Sequence, residues 1–351
     1  MRTLNPGPEP RAILAQAPCR ADLAGSTLDL WPLYLFHPGA VTVNFAISIL
    51  TTCRVTPTSG RTIHLKSLDT DREETFADLD QLCSAKRFQH PLAARLVQFF
   101  SPSTGFRLET NSESPAGAGI AGSSALMIAT TAALARFTGH RISREEMRAL
   151  AQNIEAQLIN VPTGCQDYYP ALFGGVSAIH LDPDGIHRET LPVAAKEVEA
   201  RFLLVYTGAP RQSGINNWEV FKAHIDGDKK VIRNFEQIAQ ISRAMHSGLS
   251  SGAWDDVARL LQEEWKFRKA NYAGISTPQI DKFVNIAAKN GGRAAKVCGA
   301  GGGGCVVFMV SEGAKPRVSQ ALHSAGAQLL PFRVAQDGLT VSASYAAGEV
   351  P

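Results

Sequence analysis

An excess of charge of either sign is lacking in this sequence. Its 35 Lys and Arg stand against 32 Asp and Glu, a net of +3. That balance gives no electrostatic footprint for a nucleic acid or an acidic membrane, so neither is expected as a partner. Paired cysteines are missing too. Cys19, Cys53, Cys83, Cys165, Cys298 and Cys305 are scattered and form no C-x-x-C. This excludes a zinc ribbon and reads as the reduced thiols of a cytoplasmic protein. The opening MRTLNPGPEP holds no apolar core, so no secretory signal is expected. A membrane-length apolar run is also lacking. The uncharged stretch from Ala116 to Ala135 is interrupted by Gly117, Gly119, Gly122, Ser123, Ser124, Thr130 and Thr131. It reads as a glycine loop feeding a buried helix.

What is present is an ordinary globular composition. With 351 residues, 44% hydrophobic and 19% charged, the chain has enough apolar side chains for about two domains, and extended disorder is excluded. The β-branched run Ala40–Val55, Thr62–Lys66, the segment entered through Gly174-Gly175 up to Leu181, Arg201–Thr207 and Cys305–Val310 predict strands. Asp69–Glu74 reads as an acidic turn. Helices are expected around Pro91–Phe100, from the glycine segment to Phe137, and from Ser143 to about Leu158. Ser143 and Glu146 there form a capping box. Further helices are expected at about 215–245, 252–270, 277–290 and 315–326, with strands after the last of them. Strands and helices mix without regular alternation, which argues for an α+β fold. A boundary at 190–200 divides the chain into 1–195 and 196–351.

Three segments carry chemistry. The first runs Pro115-Ala116-Gly117-Ala118-Gly119-Ile120-Ala121-Gly122-Ser123-Ser124-Ala125. Its glycines let backbone N–H groups approach an anion, and a helix N-terminus adds unpaired donors and a positive dipole end. A tight turn with an N-capping serine is the plainer alternative. No G-K-[ST] follows, so it is not a Walker A loop. The second is Gly164-Cys165-Gln166-Asp167-Tyr168-Tyr169, whose Asp167 lies twelve residues after Glu155. One carboxylate could hold Mg²⁺ while the other takes a hydroxyl proton; Asp167 as a helix cap or surface residue is the alternative. The third, Gly299–Gly304, has five glycines in six positions. It reads as close backbone packing against a ligand or another element, or as a flexible turn.

Together with Ala17-Pro18-Cys19-Arg20-Ala21-Asp22-Leu23-Ala24-Gly25-Ser26-Thr27-Leu28-Asp29, these segments resemble the GHMP kinases, whose three motifs are matched in order and spacing over residues 17–310 by residues 17–29, 115–125 and 296–305. The resemblance implies a ribosomal-protein-S5-like N-terminal domain, a ferredoxin-like C-terminal domain and an active site between them. It implies ATP and Mg²⁺ as cofactors. Pro115, Gly117, Gly119, Ala121, Gly122, Ser123, Ser124 and Ala125, with Gly301 and Gly302, would hold the nucleotide phosphates. Ser124 and Glu155 would hold the metal. Asp167 would be the catalytic carboxylate, with Arg20 beside it.

The acceptor is read from the same resemblance. Galactokinases carry a Glu-His pair before the sugar-binding aspartate, whereas Thr27-Leu28 precede Asp29 here. The Arg20–Gly25 and Gly164–Tyr168 segments look more like the fucokinase and heptose-phosphate-kinase branches, as does Tyr206-Thr207-Gly208-Ala209-Pro210-Arg211-Gln212-Ser213-Gly214. Asp29, Asp167, Gly164, Tyr206 and Arg211 are therefore the expected substrate contacts, Arg211 facing an acidic group. Trp31, Tyr34 and His37 line either the pocket or the core. The expected activity is transfer of the γ-phosphoryl group of ATP to a hydroxyl of a sugar or sugar phosphate, at the anomeric position of a hexose, deoxyhexose or heptose, by a monomer or homodimer. The alternatives are a mevalonate- or homoserine-branch kinase and a non-catalytic ligand-binding member of the fold.

Overall fold

The computed structural model describes residues 2–3, 11–210 and 215–345. Arg211 and Ser213 lie outside the described residues.

The β-branched run forms the long strand Ala40–Pro57, whose first half is buried on both faces. Continuous burial explains why it lacks simple alternation. It pairs antiparallel with Ala12–Ala24, Phe106–Ser112 and Val176–Asp182. Ile63–Ser67 adds on in parallel to Phe106–Ser112 and Arg72–Phe76 closes that edge, so only the first residues of the expected acidic turn are a turn. Gly185–Thr190 extends the other branch beside Val176–Asp182.

The helix Gly122–Phe137 packs on Ala12–Ala24 and Ala40–Pro57. Nearly every residue from Ser124 to Ala135 is buried. A helix that is apolar all round belongs in a core, and this one is covered on its outer side by the helices Pro91–Phe100 and Arg144–Ile159. The latter begins with the expected capping box, Ser143 Oγ accepting from Glu146 N and Glu146 Oε2 from Ser143 N. No described helix is long and apolar enough to cross a membrane.

The second half is built on an antiparallel sheet in the order Gly292–Val297, Cys305–Val310, Phe202–Tyr206, Gln328–Leu329. The helices Trp254–Asn271, Pro278–Lys289 and Lys315–Ser324 pack on it, while Lys229–Ser250, with Ile215–Ile225 beside it, lies between Trp254–Asn271 and the strand Ala40–Pro57 of the first sheet. The single helix expected over 215–245 is two, because Gly227 adopts a positive φ of 85° and Asp228 caps a new start, accepting from Lys230 N and Val231 N. The expected 190–200 boundary contains a helix, Ala195–Arg201.

A split at 195 assigns the chain's end to the second half, and here the structure corrects it. Thr340–Ser344 pairs antiparallel with Ala12–Gln16 at the edge of the first sheet. Ala335 N donates to Ala46 O and Gly175 N to Ala335 O. The chain therefore returns to its first domain.

Candidate active site

A cleft of about 350 Å³ opens between the two halves, with Arg20, Asp29, residues 115–119 and 121–124, Glu155, Gly164 and Asp167 among its lining. Residues about 150 positions apart thus face one space.

The glycine loop supplies one wall. Gly117 and Gly119 have φ of 66° and 76°, and Ala121 takes the left-handed conformation at 63° to start the helix. No side chain caps that end. Ser123 and Ser124 lie inside its first turn, so the reading of an N-capping serine is set aside. Unpaired N–H groups of such a turn are suited to a phosphate.

Ser124 Oγ donates to Glu155 Oε2 at 2.9 Å, and Tyr168 Oη donates to the same oxygen at 2.5 Å. Burial raises the Glu155 carboxyl above its ordinary range, against the hydroxyl bonds from Tyr168, Ser123 and Ser124, which lower it. A hydroxyl and a carboxylate beside a phosphate-binding turn form a set of hard oxygen donors. That chemistry fits Mg²⁺.

Arg20, from Ala12–Ala24, ties the second wall to the first. Its Nε and one terminal nitrogen donate to Asp167 Oδ1 at 2.9 and 2.6 Å, while the other terminal nitrogen donates to Gly119 O at 2.9 Å. Burial opposes the guanidinium's charge, but Asp167 and Asp22 outweigh it and hold the arginine protonated. Asp167 stands just before the helix Tyr168–Phe173 without capping it. Its side chain turns to Arg20 instead.

Asp29 forms the floor. Its Oδ2 accepts from Gln166 N at 3.0 Å, and Gly164 leaves no room for a side chain beside it. Burial first, and then the charge of Asp167, push the Asp29 carboxyl up to about 6, against the Gln166 N–H that favours its charged form.

Other expected residues sit elsewhere. Gly301 and Gly302 do not line the cleft. A Cβ on Gly301 would lie 2.4 Å from Ile275 O, and Gly302 N donates to Ile275 O. The run supports the phosphate loop from behind: Cys305 N donates to Ala118 O at 2.7 Å, and Gly304 packs on that carbonyl. Tyr206 likewise braces the loop, its hydroxyl 3.4 Å from Ala116 O. Trp31 is 66% exposed, Tyr34 is buried in an apolar cluster with Leu33 and Leu181, and His37 pairs with His224 at 2.9 Å. None of these three lines the cleft.

Sequence reasoning missed Arg268 and Asn217, which come from the second half. Arg268 donates to Ser26 O, Thr27 Oγ1 and Gly299 O at 2.8, 3.0 and 2.7 Å. Behind it, Lys296 Nζ reaches Asp22 Oδ2 at 2.9 Å, Glu264 Oε1 at 3.0 Å and Ser26 Oγ at 3.2 Å. Lys296, Asp22 and Glu264 are fully buried. Burial opposes ionisation of both acids. Lys296, Arg20 and Arg268 outweigh it at Asp22 and lower that carboxyl, whereas at Glu264 burial prevails and raises it. A signal existed: Glu264 and Arg268 fall on the stripe Val257, Leu260, Leu261, Trp265 that the helical repeat turns inward.

Residues 85–175 match the GHMP kinase N-terminal domain and residues 245–328 match the GHMP kinase C-terminal domain. The chain belongs to the GHMP kinases. As a GHMP kinase it is an ATP-dependent phosphotransferase of the two-domain fold described above. A D-glycero-alpha-D-manno-heptose 7-phosphate kinase of Campylobacter jejuni is 26% identical over 94% of this chain and 98% of its own length. A mevalonate kinase of Thermococcus sibiricus is 25% identical over 68% of this chain and 69% of its own. The crystal structure of a D-glycero-D-manno-heptose 1-phosphate kinase from Bacteroides thetaiotaomicron superposes with a TM-score of 0.76, at 22% identity, covering 95% of this chain and all of that one.

Proposed function

We propose that this GHMP kinase transfers the γ-phosphoryl group of ATP to the anomeric hydroxyl of a sugar, and that the sugar is a heptose phosphate. One observation carries the reading. Arg20 holds the Asp167 carboxylate and the Gly119 carbonyl of the phosphate loop at once. The proton acceptor and the phosphate-binding turn are thereby fixed relative to each other, as in-line transfer requires. The near full-length likeness to the Campylobacter jejuni kinase supports the heptose assignment over the mevalonate one.

In this scheme the acceptor hydroxyl hydrogen-bonds to Asp167 and gives up its proton to that carboxylate. Its oxygen forms the new bond to the γ-phosphorus as the bond from that phosphorus to the β,γ-bridging oxygen breaks, and ADP leaves. Asp29 accepts hydrogen bonds from neighbouring sugar hydroxyls. Gly117, Gly119, Gly122, Ser123 and Ser124 cradle the phosphates. Ser124 and Glu155 would hold Mg²⁺, which neutralises phosphate charge when bound. Arg20 orients Asp167 and contributes positive charge to the cleft.

The test is ADP release with ATP and Mg²⁺ over free hexoses, deoxyhexoses, D-glycero-D-manno-heptose 7-phosphate, mevalonate and homoserine. Turnover of the heptose phosphate, lost in Asp167→Asn, is the expected result. Turnover confined to mevalonate or homoserine would overturn the sugar assignment.

A further inference from the structure

Away from the cleft, three metal-ligating side chains meet at the seam between the two halves. His180 lies on Val176–Asp182, Glu189 on the adjoining Gly185–Thr190, and His246 on the helix Lys229–Ser250. His180 Nε2 is 2.9 Å from Glu189 Oε2, and His246 Nε2 is 3.0 Å from the same oxygen. The two rings meet edge to face, with centroids 5.3 Å apart. All three ligand atoms lie within 4.8 Å of one another.

We propose that His180, Glu189 and His246 form a binding site for a divalent transition-metal ion of the zinc class, which clasps the two domains together.

The donor set distinguishes this site from the phosphate cleft. Two imidazoles and one carboxylate suit Zn²⁺ and its neighbours, whereas oxygen-only sets suit Mg²⁺. A tetrahedral Zn²⁺ with bonds of about 2.0–2.1 Å spaces its donors about 3.3 Å apart. The present spacings of 2.9 and 3.0 Å need to open by a few tenths of an ångström, and the donor atoms of the two histidines, within 4.8 Å of each other, to settle at the same separation. The ion would take the place of the protons now shared between each Nε2 and Glu189. Partial exposure of the three side chains, 26–46%, leaves a fourth position for water.

The placement is as informative as the donor set. Residue pairing in the hairpin puts His180 opposite His187, with Glu189 two positions further along the same face. His246 alone comes from the second half. One turn earlier on its helix, Arg243 donates to the carbonyls of Pro38 and Gly39 at 3.1 and 3.4 Å, so this side of the helix is already docked on the first domain. Metal coordination would add a stronger link at the same seam. Hydrogen bonds between exposed groups contribute little by comparison.

The experiment uses tag-free full-length protein, stripped with chelator and dialysed against Zn²⁺ with a large excess of Mg²⁺ to occupy the oxygen site. One Zn²⁺ retained per chain is expected, with a rise in Tm on adding Zn²⁺. Both should be lost in His246→Gln and in His180→Gln, two variants on separate elements, so that misfolding of one leaves the other to decide. His187→Gln, altering a neighbouring histidine whose Nε2 lies 3.5 Å from Asp184, should retain the ion. Co²⁺ in place of Zn²⁺ should give the intense visible bands of four-coordinate cobalt. Equal Zn²⁺ retention in wild type and both variants, no retention at all, or a pale six-coordinate Co²⁺ spectrum would each overturn the site. None of these results bears on the kinase reading, which rests on other residues.

Discussion

A Cβ placed on Gly164 would lie 1.9 Å from Asp29 Oδ2. The loop that delivers Asp167 is therefore pressed against the carboxylate at the floor of the cleft. Gly164→Ala should displace Asp29 and raise the KM of the sugar, leaving the KM of ATP little changed. Steady-state kinetics in both substrates check this, and a selective rise in the ATP KM would contradict the assigned geometry.

Removal of the proposed proton acceptor should act on turnover. Asp167→Asn is expected to lower kcat by about 10²–10⁴ with little change in either KM. Arg20→Lys should also lower kcat, because one ammonium cannot contact both Asp167 and Gly119 as the guanidinium does. Circular dichroism on both variants separates loss of chemistry from loss of fold.

The Asp29 carboxyl titrates near 6 in the folded protein, up from 3.8. The folded state thus binds this proton more tightly than the unfolded state does. Above about pH 6 the buried charge penalises folding; below about pH 4 both states are protonated and the penalty is gone. Asp29→Asn should accordingly stabilise the protein at pH 7 by on the order of 3 kcal/mol. The gain should fade as pH falls from 6 to 4. Urea unfolding of both proteins across that range provides the check, and a pH-independent difference would refute it.

Lys296 holds two carboxylates from opposite sides of the domain seam. Lys296→Met leaves them buried without their shared cation and should cost about 3–5 kcal/mol. Adding Asp22→Asn and Glu264→Gln should recover much of that loss. Denaturant unfolding of the single and triple variants tests whether the cost comes from unpaired charge and not from lost packing volume.

Much of the architecture was legible from local patterns. Ser143 and Glu146 announce a helix start, and Pro91–Phe100 appears with its expected bounds, because caps and apolar spacing act within one turn. The three motifs likewise point to phosphate chemistry from residue type and order. Gly292–Val297 was not legible, since it carries Arg293 and Lys296 where a strand pattern would place apolar residues. Strands are expected after the last helix, but the pairing of Thr340–Ser344 with Ala12–Gln16 is not, because it depends on a sheet assembled far upstream.

The same division runs through the site. By itself the sequence determined that a glycine turn feeds an apolar helix, and its resemblance to the GHMP kinases singled out Ser124, Glu155, Asp167 and Arg20 as candidates, since motif identity is a property of neighbouring residues. Only tertiary structure decided what they face. It brought Arg20 onto Asp167 and Gly119 together, turned Gly301 and Gly302 into packing against Ile275, and buried Arg268 in the lining of the cleft. Those outcomes depend on two sheets meeting across a seam, where burial excludes water and each buried charge must find its partner from a distant part of the chain.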